Sequence, residues 1–174
     1  MKKLLLLVVC SFCAWQLLGQ SINTSIIGIE LGGTCTPEQI QQSLKQQYDI
    51  DSAVNKESSW SVVFSNYYVP FAGYNWRPYI KLTKDNKVAE IALIYSEISF
   101  LGSDFGEKSQ AIYRDLLFLL NKKYGRSSSS QTGGSRWGKD IGVTLDNTKK
   151  GNVRLSYFDA SLMAQIESDL LEEL

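Results

Sequence analysis

Apolar residues recur at two spacings along the chain, and each switch between them marks an element boundary. Ile40, Leu44 and Tyr48 stand four apart and predict a helix with one narrow apolar stripe. Thr36-Pro37-Glu38-Gln39 precedes them. Threonine suits the N-cap, proline the first helical position, and glutamine the reciprocal bond of a capping box. Ile112, Leu116, Leu119, Leu120 and Tyr124 predict a second helix with a broader stripe, stopped by Gly125. Asp104 is its expected cap, with Glu107 reaching back. A third helix, from about Ser161, places Leu162, Ile166 and Leu170 on one side. Glu172 and Glu173 oppose its C-terminal dipole, so its end should fray.

Between the helices the period drops to two. Trp60, Val62 and Phe64 alternate with smaller or polar residues. Trp76 to Thr83 reads as a strand, Lys84-Asp85-Asn86-Lys87 as a turn, and Val88 to Tyr95 as its return. Ala89, Ile91, Leu93 and Tyr95 are expected on one face of that return strand. Ile141, Val143 and Leu145 alternate next; Asn147 to Asn152 turn the chain, and Val153, Leu155 and Tyr157 come back.

The order is helix, strands, helix, strands, helix, which predicts an α+β fold. Two stretches reinforce a repeat: QQYDIDSAVNKESSW (46–60) and KKYGRSSSSQTGGSRW (122–137) both run from a tyrosine through a polar loop to a tryptophan. The expectation is two tandem helix-plus-antiparallel-sheet units, at about 27–100 and 101–158, packed as one domain with a C-terminal helix at about 160–172. Packing the units together would cover the sheet face that each leaves bare. The tyrosines and tryptophans would pin helix ends to the sheet. Tyrosine and tryptophan are the only identical anchors, so coincidence is the alternative. Ser127 to Ser135 is read as a mobile loop inside the domain spanning 21–174.

Residues 1–20 change the picture by assigning a compartment. Lys2 and Lys3, an apolar run from Leu4 to Ala14, then Gly19, Gln20 and Ser21 have the order of a secretory signal peptide. Removing it leaves Cys35 as the single cysteine, so no intrachain disulfide is expected, and a bacterial periplasm or secretion fits. Lipoprotein anchoring is not expected, since neither Cys10 nor Cys13 follows a small residue. No segment after the leader is apolar for long enough to span a bilayer. Basic and acidic residues number 18 each in the whole chain, without long like-charge blocks, which gives no support to a nucleic-acid partner.

The short lead Gly28-Ile29-Glu30-Leu31-Gly32, the capped helix start, the polar loop and the antiparallel strands together resemble small envelope proteins of the BamE-like and beta-lactamase-inhibitor-protein-like folds. The likeness covers Ile27 to about Phe158 and is one of layout, with no diagnostic motif. It implies a tandem α+β fold and work by protein–protein contact. The leader and the KKYG ending are also similar to those of secreted proteins of Bacteroides-type bacteria.

Candidate chemistry is sparse. There is no histidine, which removes the commonest general base and the commonest zinc ligand. Carboxylate catalysis, as in glycosidases, stays open. However, Glu30, Glu90, Glu97, Asp104, Asp140 and Asp146 show no spacing that pairs two of them, and caps or solvated strand positions account for them. Cys35 precedes a helix N-terminus, which favours a thiolate, although a half-buried apolar role explains it as well. GIELGGTC matches no phosphate-binding loop, and Asp146-Asn147-Thr148 lacks the later positions of a calcium loop. No cofactor and no metal are expected.

The remaining candidate is NYYVPFAGYNW (66–76), in which Tyr67, Tyr68, Phe71, Tyr74 and Trp76 surround Pro70 and Gly73. Rigid rings in a surface connection favour recognition, and these five are the expected binding residues. An aromatic ladder packed on the next strand is the structural alternative. The expected function is a non-catalytic binding or protein-interaction module of the bacterial cell envelope, its partner another envelope protein or a glycan. The alternative is a carboxylate-based hydrolase acting on glycans.

Overall fold

A computed structural model describes residues 21–48, 55–58, 61–63, 68–97, 106–129, 134–148 and 151–172, with backbone alone at 55–58, 61–63 and 148. The expectations for the leader, Trp60, Phe64, Tyr67 and Asp104 lie outside these residues.

Helix α1 (Pro37–Tyr48) begins where its local sequence says it should. Gln39 accepts from the Thr36 amide at 2.8 Å, and Thr36 Oγ1 accepts from the Gln39 amide at 3.3 Å. The capping box is closed. Ile40 and Leu44 are buried against a small hairpin of β1 (Ser25–Ile26) and β2 (Ile29–Glu30), which supplies Ile26, Ile27 and Ile29 to the same cluster.

Helix α2 (Glu107–Tyr124) starts differently. Its N-cap is Gly106 in a left-handed conformation, with no side-chain cap bond of its own. The missing acceptor comes from Glu97, whose carboxylate takes the Gly106 amide and, at 2.7 Å, the Ser109 amide. An anion at a helix N-terminus satisfies orphan donors and complements the dipole. Helix α3 (Ala160–Glu172) is capped locally: Asp159 Oδ1 accepts from the Ser161 and Leu162 amides at 2.9 and 3.2 Å.

Nine described strands form one sheet. The first half contributes β3 (Asn55–Ser58), β4 (Ser61–Val63), β6 (Tyr74–Leu82) and β7 (Val88–Ser96). The second contributes β8 (Ser128–Ser129), β9 (Ser135–Trp137), β10 (Ile141–Thr148) and β11 (Asn152–Asp159). Their order across the sheet is β3-β4-β6-β7-β11-β10-β9-β8, with β5 (Val69–Phe71) paired to the start of β6. The halves are therefore joined edge to edge through antiparallel β7 and β11, with Leu93 opposite Leu155. This differs from the expectation that the halves cover each other's faces. The reason lies in β7, whose residues Val88 to Leu93 are all buried and require neighbours on both edges and both faces.

One face is the core. Ile80, Ile91, Leu93, Val143, Leu145, Val153 and Leu155 share a buried cluster with Ile40 and Leu44 of α1 and with Ile112, Leu116 and Leu120 of α2. On the opposite face α3 lies against β7 and β11 and buries Ile166 over Ala89. Ala89 was expected beside Ile91 and Leu93. A bulge puts it on the other side: Glu90 pairs with Lys81 and Val88 with Leu82, so Ala89 is an extra residue.

At the ends of the serine-rich stretch, where a mobile loop was expected, Ser128 and Ser129 pair with Arg136 and Ser135. Trp137 ends this hairpin in the core, and its indole N–H donates to the Gly125 carbonyl at 2.9 Å and to Asn121 Oδ1 at 3.2 Å. It thereby ties the C-terminus of α2 to the sheet.

Candidate functional site

The expected aromatic cluster is divided by depth. Ala72 and Gly73 both hold positive φ, which makes a tight two-residue turn between β5 and β6. The β5–β6 arm folds so that Trp76 is fully buried, donating its indole N–H to the Phe71 carbonyl at 2.9 Å. Tyr95 meets Trp76 edge-on at 5.9 Å and Tyr74 at 6.2 Å. Phe71 and Tyr74 are half-buried against the core, and Tyr68 is 40% exposed. Trp76 is therefore a core residue. A contact surface here consists of Tyr68 and the outer edges of Phe71 and Tyr74.

That surface has a neighbour which sequence reasoning assigned elsewhere. Leu119 was counted in the buried stripe of α2, yet it is 52% exposed, and Phe118 beside it is 69% exposed. Ala72 and Tyr74 of the arm and Asp115, Leu116, Phe118 and Leu119 of α2 together line a recess of about 340 Å³. The arm brings the hairpin turn to the helix. Two large apolar side chains stay at its rim.

A second recess lies on the opposite face, between the sheet and α3, with a volume of about 520 Å³. Its floor is a grid set by strand register. Lys81, Glu90 and Phe158 stand side by side on β6, β7 and β11, and Tyr79, Ala92, Ser156, Thr144 and Arg136 form the adjoining row. Arg154 leaves its own row, crosses the small side chains of Ser156 and Ala92, and passes over the Tyr79 ring at 5.2 Å. It donates to Ser156 Oγ at 3.0 Å and to Glu90 Oε1 at 2.7 Å. Lys81 reaches the other Glu90 oxygen at 3.4 Å. Arg136 lies over the Phe158 ring at 4.7 Å and donates to the Lys139 carbonyl at 3.0 Å. Gly142 makes room for that ring, since a Cβ there would stand 2.2 Å from it.

Burial pushes the Glu90 carboxyl up, but the Arg154 charge, the Arg154 hydrogen bond and the Lys81 charge outweigh it and hold the group below the usual range. Glu90 is thus kept as an anion. Burial pushes the Cys35 thiol up as well. Cys35 is half-buried and packs against the core, the placement of a small apolar residue. Asp146 and Glu167 also line the cleft, so three of the chain's carboxylates share one recess. The signal for this site was the alternation of polar residues in Arg77-Pro78-Tyr79-Ile80-Lys81 and Arg154-Leu155-Ser156-Tyr157-Phe158.

No helix among the described residues is long and apolar enough to cross a membrane. Comparison with known proteins adds no relative: no protein-family model, no curated protein and no solved structure matches the chain.

Proposed function

We propose that the chain is a non-catalytic module of the bacterial cell envelope that docks another protein at the recess between the β5–β6 arm and α2. The observation that carries this reading is the exposure of Phe118 and Leu119 beside Tyr74. Exposed apolar groups clustered at a recess mark contact sites, and covering a large apolar side chain yields roughly 1.5–3 kcal/mol. Asp115 at the rim supplies one polar contact to set orientation. The likeness of layout to BamE-like and beta-lactamase-inhibitor-like proteins supports contact as the mode of action, and the leader-like residues 1–20 support the periplasm or secretion.

The test is Phe118→Ser with Leu119→Ser. Both side chains face solvent, so stability should move by no more than about 0.5 kcal/mol. Site-specific photo-cross-linking from position 115 in envelope preparations should give a discrete adduct that the double variant loses. An adduct unchanged in the variant would sink the proposal, and absence of the protein from the periplasmic and secreted fractions would sink its location.

The alternative, a carboxylate-based hydrolase acting on glycans, is favoured by the gathering of Glu90, Asp146 and Glu167 at one cleft. Against it, Glu90 is held ionised by Arg154 and Lys81, so it has no proton for a leaving group. Release of reducing ends from envelope glycans, abolished by Glu167→Gln, would favour this alternative over docking.

A further inference from the structure

We propose that the cleft between the sheet and α3 binds a small organic anion, gripping its carboxylate or phosphate between Arg136 and the Arg154–Lys81 pair. This rests on the opposite face from the docking recess and does not depend on it. Three cationic heads converge on one row of the sheet. Lys81 originates there, Arg154 reaches it at Glu90, and Arg136 reaches it over Phe158. Glu90 is the one carboxylate among these heads; with Asp146 and Glu167 it balances the three cations over the cleft as a whole, so the positive excess is local to the floor around Lys81 and Arg136. Asp146 lies on another row, opposite Arg154, and Glu167 is exposed on α3.

Stability does not call for this arrangement. Burying an ion pair costs several kcal/mol of desolvation, and apolar residues seal a sheet face as well or better. The other face of the same sheet is sealed in that way. The arrangement suits recognition: guanidinium forks match planar oxyanions, and the fixed Glu90 and the rings of Tyr79 and Phe158 hold them in place before a ligand arrives. The hydroxyls of Thr144 and Ser156 on the floor and the Met163 side chain on the wall would meet a short polar carbon skeleton. A volume of about 520 Å³ falls among those of small-molecule sites, well above the need of a bare ion.

The experiment is titration of the whole folded protein with citrate, galacturonate and glucose 6-phosphate, with inorganic phosphate as control at equal ionic strength. Amide chemical shifts in β6, β7, β10 and β11 are the readout, and the two chemical sources separate by which probe saturates them. At least one organic anion should saturate below about 10 mM and outcompete inorganic phosphate by about tenfold. Arg136→Gln should weaken that binding by about tenfold or more, and Lys81→Gln should do so as well, with the amide spectrum of the folded sheet retained in both. Failure of every organic anion to saturate, or equal shifts from inorganic phosphate, overturns the proposal. So does binding that survives both substitutions.

Discussion

Residues 64–73, with the β5 arm among them, join β4 to β6 in the first half of the sheet, whereas Gly138 to Asp140 suffice to join β9 to β10 in the second. Each half buries a tryptophan whose indole N–H meets a backbone carbonyl, and the partner differs. Trp137 bonds the end of α2 and so fastens a helix to the sheet. Trp76 bonds Phe71 within its own arm, so the arm closes on itself. A short link leaves the ring free to act on a neighbouring element; a long one uses the ring to support the insertion. The arm is the price of placing a hairpin turn beside Phe118 and Leu119. The two helix starts differ likewise. Thr36 and Gln39 cap α1 from within, while α2 depends on Glu97 at the far end of β7.

Substitutions can break this comparison. Trp137→Ala and Trp76→Ala should each cost about 3–5 kcal/mol by urea unfolding, because both rings are buried in the same core. Hydrogen exchange separates them: the last turn of α2 should lose protection in Trp137→Ala and keep it in Trp76→Ala. Equal loss in both variants would show that the arm also holds the helix.

Glu90→Gln should cost about 1–3 kcal/mol, less than a fully buried pair because Arg154 and Lys81 remain a third exposed. Its pH dependence has a fixed sign. The folded carboxyl titrates below its ordinary value of 4.5, so the contribution is complete above that value and is lost as pH falls through the lower, folded-state value. Acid should therefore narrow the gap between wild type and Glu90→Gln, and a gap that widens below pH 4.5 would contradict the ion pairing. Smaller again, Thr36→Ala and Glu97→Ala should each cost about 1 kcal/mol. Circular dichroism on the isolated 36–48 peptide should respond to the first change, and a 106–125 peptide, which lacks residue 97, should show no capped start at all.

What could be read from the chain follows from this contrast. The α1 cap, the turn at Lys84 to Lys87 and the alternation of Val153, Leu155 and Tyr157 depend on residues a few positions apart, so local pattern suffices. The start of α2 does not, since its acceptor is twelve residues before the amide that it serves. Ala89 escaped for a related reason: strict alternation has no means to announce a bulge. Within the aromatic run only Ala72 and Gly73 form the turn between two strands, and the depth of Trp76 depends on how the arm folds against Tyr95. The charged cleft lay in plain view as polar strand positions. Only the pairing register shows that Lys81, Glu90 and Phe158 are neighbours.

The seam between β7 and β11 carries a consequence for how the chain matures. Synthesis proceeds from the N-terminus, so β7 is complete long before its partner at 152–159 emerges. Until then an almost wholly greasy strand presents an open edge, the kind that captures other chains. A nascent molecule halted before β11 should be the most aggregation-prone species of this protein, and a holdase would find its natural client there.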